Sequence, residues 1–130
     1  MIYPVLNEAK ALLSSIDDVQ SLRIGLERGI GAKDCPFLRI VPSKLSGEGQ
    51  YATLVFQVIF GFDLKNRKME EVYQSYFDME ERIRAALEGK MDAGNCYWIE
   101  TVTDEDEVPN LKTGVAIFAV SNIPLRTRAW

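Results

Sequence analysis

Residues 51–63, which read YATLVFQVIFGFD, decide the fold of this chain. One set of alternate side chains is wholly apolar: Leu54, Phe56, Val58, Phe60 and Phe62. The other set is mixed but uncharged: Thr53, Val55, Gln57, Ile59 and Gly61. A repeat of two residues places alternate side chains on opposite faces of a strand. The segment therefore predicts a central strand that is apolar on one face and free of charge on the other.

Two further strands are predicted before this segment. Residues 21–27 alternate, with Leu22, Ile24 and Leu26 on one side. Residues 37–41 form a short apolar run that Pro42 is expected to end. The polar segment 43–50 contains two glycines and predicts a mobile hairpin loop.

The C-terminal part of the chain predicts a second hairpin. Its strands span residues 97–103 and 113–121, and an acidic run, Asp104, Glu105, Asp106 and Glu107, lies in the connection. Residues 124–130, which include Arg126 and Arg128, are expected to form a loosely tied tail.

Two segments have helical periodicity. An N-terminal helix is predicted within residues 1–16, with one apolar stripe: Val5, Leu6, Ala9, Leu12, Leu13 and Ile16. A longer helix is predicted over residues 66–88, with a buried stripe formed by Met69, Val72, Tyr73, Tyr76, Phe77, Ile83 and Leu87.

The element order α-β-β-β-α-β-β predicts an α+β fold in a single domain, residues 1–130. We expect an antiparallel sheet of four to five strands with both helices packed on one face. Two helices can cover only one face, although the central strands are apolar or uncharged on both. The second face must then meet loops of the same chain or the surface of another chain, which favours self-assembly.

Composition argues against several classes of partner and reaction. The net charge of −4 argues against nucleic acid, which attracts basic surfaces. No apolar run approaches the roughly 18 residues that cross a bilayer, and no signal peptide is evident, so we expect a cytosolic protein without a membrane partner. Cys35 and Cys96 are far apart in sequence and are expected to be inert thiols.

The sequence contains no histidine, which removes the commonest general base and metal ligand. We predict no catalytic residues, no cofactor and no metal. The acidic run at 104–107 lacks the ligand spacing of an EF-hand loop. It can be interpreted as a solvated hairpin tip, a docking site for a basic partner or a divalent-cation site, in decreasing order of preference.

The layout resembles the tail terminator and tail-completion proteins of tailed bacteriophages and prophages, including the lambda minor tail protein U group. The resemblance lies in an N-terminal helix, a hairpin with the strand TLVFQVIFGFD, an acidic helix ending in RIRAALEG, and a final hairpin, TVTDEDEVPNLKTGVAIFAV. It implies a structural, non-enzymatic protein that forms a ring, typically a hexamer. Such a ring caps the tail tube, stops its polymerisation and presents a surface to the head connector.

The resemblance also implies location and partners. The chain would act in the bacterial host cytoplasm during assembly and then in the virion tail, with further copies of itself, the tail tube protein and the head-connector protein as partners. Side-chain chemistry alone suggests the interface candidates: Lys44, Glu48, Gln50, Asp104, Glu105, Asp106, Glu107, Arg126 and Arg128. Two alternatives stay open, namely another neck or head–tail joining factor and a small-molecule-binding α+β domain.

Overall fold

The computed structural model describes residues 2–27, 29–65, 67–103 and 111–125, and for Glu48 the backbone alone. Within these ranges the elements follow the predicted order and confirm the α+β class. They are α1 (Tyr3–Leu13), β1 (Ser21–Ile24), β2 (Phe37–Glu48), β3 (Tyr51–Asp63), α2 (Met69–Leu87), β4 (Asn95–Thr103) and β5 (Leu111–Pro124).

The five strands form one sheet in the order β1-β2-β3-β5-β4. Three of the four neighbouring pairs are antiparallel, as expected, but β1 runs parallel to β2. A parallel pair needs a long crossover connection, whereas two residues suffice for a hairpin. The segment 25–36, which contains a 3₁₀ turn at Ala32–Asp34, supplies that length.

Both helices pack on one face of the sheet, where the alternate apolar side chains of β3 and β5 are buried. Phe56 and Phe118 face each other across the β3–β5 pair, with ring centroids 5.8 Å apart. The ring of Tyr76, on α2, lies 4.9 Å from that of Phe60. Aromatic pairs at these distances add to the stabilisation from burial alone.

The prediction that Pro42 ends a strand is wrong. Strand β2 continues to Glu48, with a bulge at Ser43, whose Oγ donates to the carbonyl of Val55 at 3.1 Å. The carbonyl of Ile40 points away from β3, because it accepts from Gly25 N–H at 2.8 Å. By alternation, the nitrogen of Pro42 also faces the outer side, where its missing N–H costs the β2–β3 ladder no donor.

Several predicted boundaries also shift. The predicted mobile loop 43–50 is strand up to a two-residue turn, Gly49–Gln50, in which Gly49 has φ of +64°. Strand β5 runs on to Pro124, and Leu125 N–H donates to the carbonyl of Gln50 at 2.7 Å, so residues 124–125 are tied down. Helix α1 ends at Leu13, before residue 16.

The predicted buried stripe of α2 is partly wrong. Met69, Tyr73 and Phe77 are exposed, whereas Met79 and Glu80 are buried. The helix faces the sheet along the line of Val72, Tyr76, Met79, Ile83 and Leu87. Residues spaced four apart drift around a helix of 3.6 residues per turn. The series 69, 73 and 77 therefore rotates away from the sheet.

Gly114 provides a test of how closely α2 packs on β5. A Cβ atom at this position would lie 2.5 Å from ring atoms of Tyr76. We expect Gly114→Ala to lower the free energy of unfolding by about 1–3 kcal/mol, because neither the ring nor the strand can move freely in a packed core. Urea denaturation would measure the change. Gly31→Ala is the control, since a Cβ there meets no atom within 4 Å, and an equal effect of both variants would contradict close packing.

Candidate functional site

The face of the sheet opposite the helices, hereafter the second face, is largely apolar and incompletely covered. Register places one alternate set of side chains on it in each strand. Its partly or fully exposed apolar members are Val41, Val55, Ile59, Tyr97, Val102, Val115 and Ile117, and its polar members are Lys44, Ser46, Thr53, Gln57 and Glu100. The exposed fractions are 42% for Tyr97 and 47% for Val102, so β4 carries the most exposed apolar side chains of this surface.

One end of the second face is covered by the chain itself. Arg39 projects from β2 on this face and is fully buried. Its Nε and Nη2 donate to Glu27 Oε1 and Oε2 at 2.7 and 2.9 Å, and its Nη1 donates to the carbonyls of Ser21 and Leu38. The guanidinium also lies 5.4 Å from the centroid of the Phe37 ring. This bidentate ion pair between Arg39 and Glu27 holds the segment after β1 against the sheet.

The held segment forms one wall of an apolar groove. The groove has a volume of about 420 Å³, and its lining combines that segment with the ends of β2, β3 and β5: Leu26, Glu27, Gly29, Ile30, Phe37, Ile59, Leu111, Thr113 and Val115. Leu26 was predicted to lie in strand β1, but that strand ends at Ile24 and Leu26 is 56% exposed. The covering segment thus leaves apolar surface open beside it.

The ion pair also sets the ionisation of Glu27. Hydrogen bonds from Arg39 are the main cause, and they lower the pKa of the Glu27 carboxyl from 4.5 to about 2. The charged form is favoured because the guanidinium donates to both carboxylate oxygens.

The sheet has two outer edges that no other described strand covers. One is β4 from Tyr97 onwards, which is the last strand in the sheet order; at Cys96 the carbonyl already accepts from Gly89 N–H at 3.0 Å. The other is residues 41–48 of β2, because β1 pairs only with residues 37–40. Apolar side chains are exposed near both edges, with Ile99 on β4 and Leu45 on β2 at 45% and 55%. Open backbone donors and acceptors on such edges are templates for pairing with another chain.

A buried polar network fixes β4 against α2. Glu80 is 5% exposed, accepts from Arg84 Nε at 3.0 Å and accepts from the Thr101 hydroxyl at 2.6 Å. Trp98 Nε1 donates to the same hydroxyl at 2.9 Å, and the Arg84 guanidinium lies 4.7 Å from the Trp98 ring centroid. The sequence analysis missed this network. The i, i+4 spacing of Glu80 and Arg84 was its one visible signal.

The predicted interface residues fall into two groups. Lys44 lies exposed on β2, Glu48 ends the same strand, and Gln50 lies in the adjoining turn. All three lie in the hairpin formed by β2 and β3, with Lys44 four residues before the end of β2. The remaining candidates are outside the described residues: Asp104, Glu105, Asp106, Glu107, Arg126 and Arg128.

The described residues contain no group of three or more Cys, Asp or Glu side chains that could hold a metal ion. Burial raises the pKa of the Cys35 thiol to about 11 and that of Cys96 to about 12, which disfavours the nucleophilic thiolate. Neither helix is long and apolar enough, over the part of the chain described, to cross a lipid bilayer.

Comparison with known proteins gives no match to any family model and no significant match among curated proteins.

The Arg39–Glu27 pair makes stability depend on pH. The pKa of Glu27 is lower in the folded state, so the pair stabilises the fold above pH 4.5, and its contribution is lost as the pH falls towards about 2. We expect Glu27→Gln to be less stable than the wild type at neutral pH, with the difference shrinking through this window. Urea denaturation across the pH range would measure it.

Glu81→Gln is the matched control, because Glu81 is exposed on α2 and far in sequence from the pair. We expect little change in this variant at any pH. A stability difference for Glu27→Gln that stays constant from neutral pH down to about pH 2 would contradict the ionic role of Glu27.

Proposed function

We propose that this chain is a structural assembly protein of a bacteriophage or prophage tail. In this role it forms a homo-oligomeric ring on the end of the tail tube, stops further polymerisation and offers a surface to the head connector. It acts without a cofactor, first in the bacterial cytoplasm and then in the virion. The observation that carries the proposal is the incompletely covered, largely apolar second face.

The size of the second face supports an assembly role. Four strands about 4.8 Å apart, rising about 3.3 Å per residue over eight residues, give a flat area of roughly 500 Å². The largest apolar patches on monomeric proteins cover about 300–600 Å² and are often functional. A stable interface needs about 800 Å² from each partner, so the second face would supply roughly half of that area.

A second apolar surface lies on the opposite layer of the molecule. Met69, Tyr73 and Phe77 form an exposed stripe along α2, with exposed fractions between 42% and 57%. A protein that sits between a tail tube and a head connector needs contact surfaces on more than one side. Two unlike apolar surfaces on opposite layers fit that requirement.

The state of assembly tests the proposal directly. Light scattering on the purified protein at high concentration, alone and with phage tail tubes present, should detect a species larger than the monomer. A protein that stays monomeric in both conditions would contradict the proposal. Pull-down with the tube protein and, separately, with the connector would distinguish a tail terminator from a head–tail joining factor.

A charge in the middle of the second face should disrupt assembly. Ile117 lies there, partly exposed and paired with Gln57 of β3. Ile117→Glu should weaken assembly at least about tenfold, because a buried carboxylate without a partner is costly. The matched control is Asn7→Glu on the exposed side of α1. Assembly of Ile117→Glu at the wild-type level, with the fold intact by circular dichroism, would exclude this face from the interface.

The groove beside Leu26 favours one alternative function, the binding of a small apolar molecule. Its volume of about 420 Å³ is within the range of ligand sites. A rise in melting temperature with members of a metabolite panel would support this alternative. Loss of this rise in melting temperature in an Ile59→Glu variant would place the ligand in the groove.

A further inference from the structure

We propose that the two free edges of the sheet pair with each other between neighbouring copies of this chain. Residues 41–46 of β2 in one copy would add, antiparallel, to residues 97–102 of β4 in the next. The inference rests on the proposed ring and names the contact that would close it.

Strand direction permits this pairing. From β2 through β3 and β5 to β4, each neighbouring pair is antiparallel, so β4 runs opposite to β2. When a second copy continues the sheet with the same face forward, its β2 therefore meets β4 in the antiparallel sense. The two edges are different surfaces, and a head-to-tail contact of this kind generates a ring when the rotation closes.

The lengths of the two edges also agree. Residues 41–46 of one copy lie opposite residues 97–102 of the other, with Pro42 opposite Thr101 and Leu45 opposite Trp98. The two bulged segments, 43–44 and 99–100, face each other between these pairs, which places Lys44 beside Glu100. The ladder ends at Tyr97, because the carbonyl of Cys96 already accepts from Gly89 N–H. The pairing stops at the residue where β1 begins to cover β2, because β1 pairs with Ile40. Pro42 supplies no N–H to this edge, so the intermolecular ladder has one donor fewer there.

Side-chain directions match in this register. Lys44 pairs with Val55 and Glu100 with Ile117, so both charges project from the second face. Next to them, Ser46 lies opposite Tyr97 and Val41 opposite Val102, again on the second face. On the helix face, the exposed Leu45 lies opposite the indole of Trp98. Directly opposed side chains in an antiparallel pair share a face, and this register meets that condition throughout.

Charge favours the unlike edges over the like ones. Lys44 and Glu100 are both exposed, and neither forms an ion pair with another side chain in the described ranges. Joined head to tail, they form an ion pair at the centre of the contact. Two β2 edges would bring lysines together, and two β4 edges would bring glutamates together, which is destabilising. The occupant that fits each edge is thus the other edge of a second copy.

Charge reversal tests the contact. Lys44→Glu alone and Glu100→Lys alone should each weaken self-association about tenfold, because an attraction becomes a repulsion. The double variant restores an opposed pair and should recover most of the lost association. Lys10→Glu and Glu81→Lys are matched controls at exposed helix positions and should assemble as the wild type does. Sedimentation velocity would measure the five variants and the wild type.

The outcomes separate this inference from the proposed function. If the wild type assembles but both single reversals assemble equally well, the edge contact is wrong and the ring proposal stands. If the double variant is as weak as the single ones, the specific opposition of Lys44 and Glu100 is wrong. If the wild type is monomeric, alone and with tail tubes, the ring proposal itself fails.

Disulfide cross-linking provides a second measurement that needs no change in affinity. The test variant combines Ser46→Cys, Tyr97→Cys and Cys35→Ser in one chain. In the proposed contact the Cα atoms of residues 46 and 97 of neighbouring copies lie about 4.5–5.5 Å apart, a distance that a disulfide can span. Oxidation should give a ladder of covalent oligomers, ending at the number of subunits in the ring. Each variant with only one of the two introduced cysteines should stop at the dimer, because the remaining Cys96 is buried. A double variant that also stops at the dimer would overturn the head-to-tail contact.

Discussion

The pairing of β3 with β5 is the constraint on which the rest of the structure depends. The two strands pair from Tyr51 to Asp63, with one register shift between Ala52 and Leu54, and lie in the middle of the sheet, with Phe56 stacked on Phe118. Their apolar side chains lie at the centre of the core, with α2 packed over them and α1 beside it over β1 and β2. Because side chains alternate, the same two strands also present Val55, Ile59 and Ile117 on the other side. The core and the second face are therefore products of one pair of strands.

Coverage of the second face is local. The Arg39–Glu27 pair holds one short segment over one end of it, and a fully buried guanidinium tolerates that position because four hydrogen bonds satisfy it. The rest of the second face is covered only by whatever molecule the protein contacts. The free edge of β4, by contrast, is tied to α2, because Glu80 and Arg84 of the helix contact Thr101 and Trp98 of the strand. A rigid edge loses little conformational freedom on binding, which favours association.

Periodicity alone was sufficient to predict the element order, the helix-covered core and the apolar second face. The strong alternation of residues 51–63 carried most of that information. The errors arose where tertiary context decides. Pro42 lies inside a strand because its nitrogen faces an open edge of the sheet. Strand β1 is parallel to β2 because residues 25–36 form a crossover connection between them. Phe77 is exposed because that side of α2 faces away from the sheet. Sequence chemistry identified Lys44 as an interface candidate, but Glu100 became one only when the sheet order placed β4 at the far edge.

The bulges at Ser43 and Ile99 have a geometric consequence for any continuous sheet that passes from one copy to the next. A bulge adds one residue to one side of a strand pair, bends that strand and increases its local right-handed coiling. Both of these bulges lie in the strands that carry the open edges. Because these bulges lie within the β2–β3 and β4–β5 pairs, they would bend the sheet inside each copy, and that bend would set the angle at which one open edge meets the next.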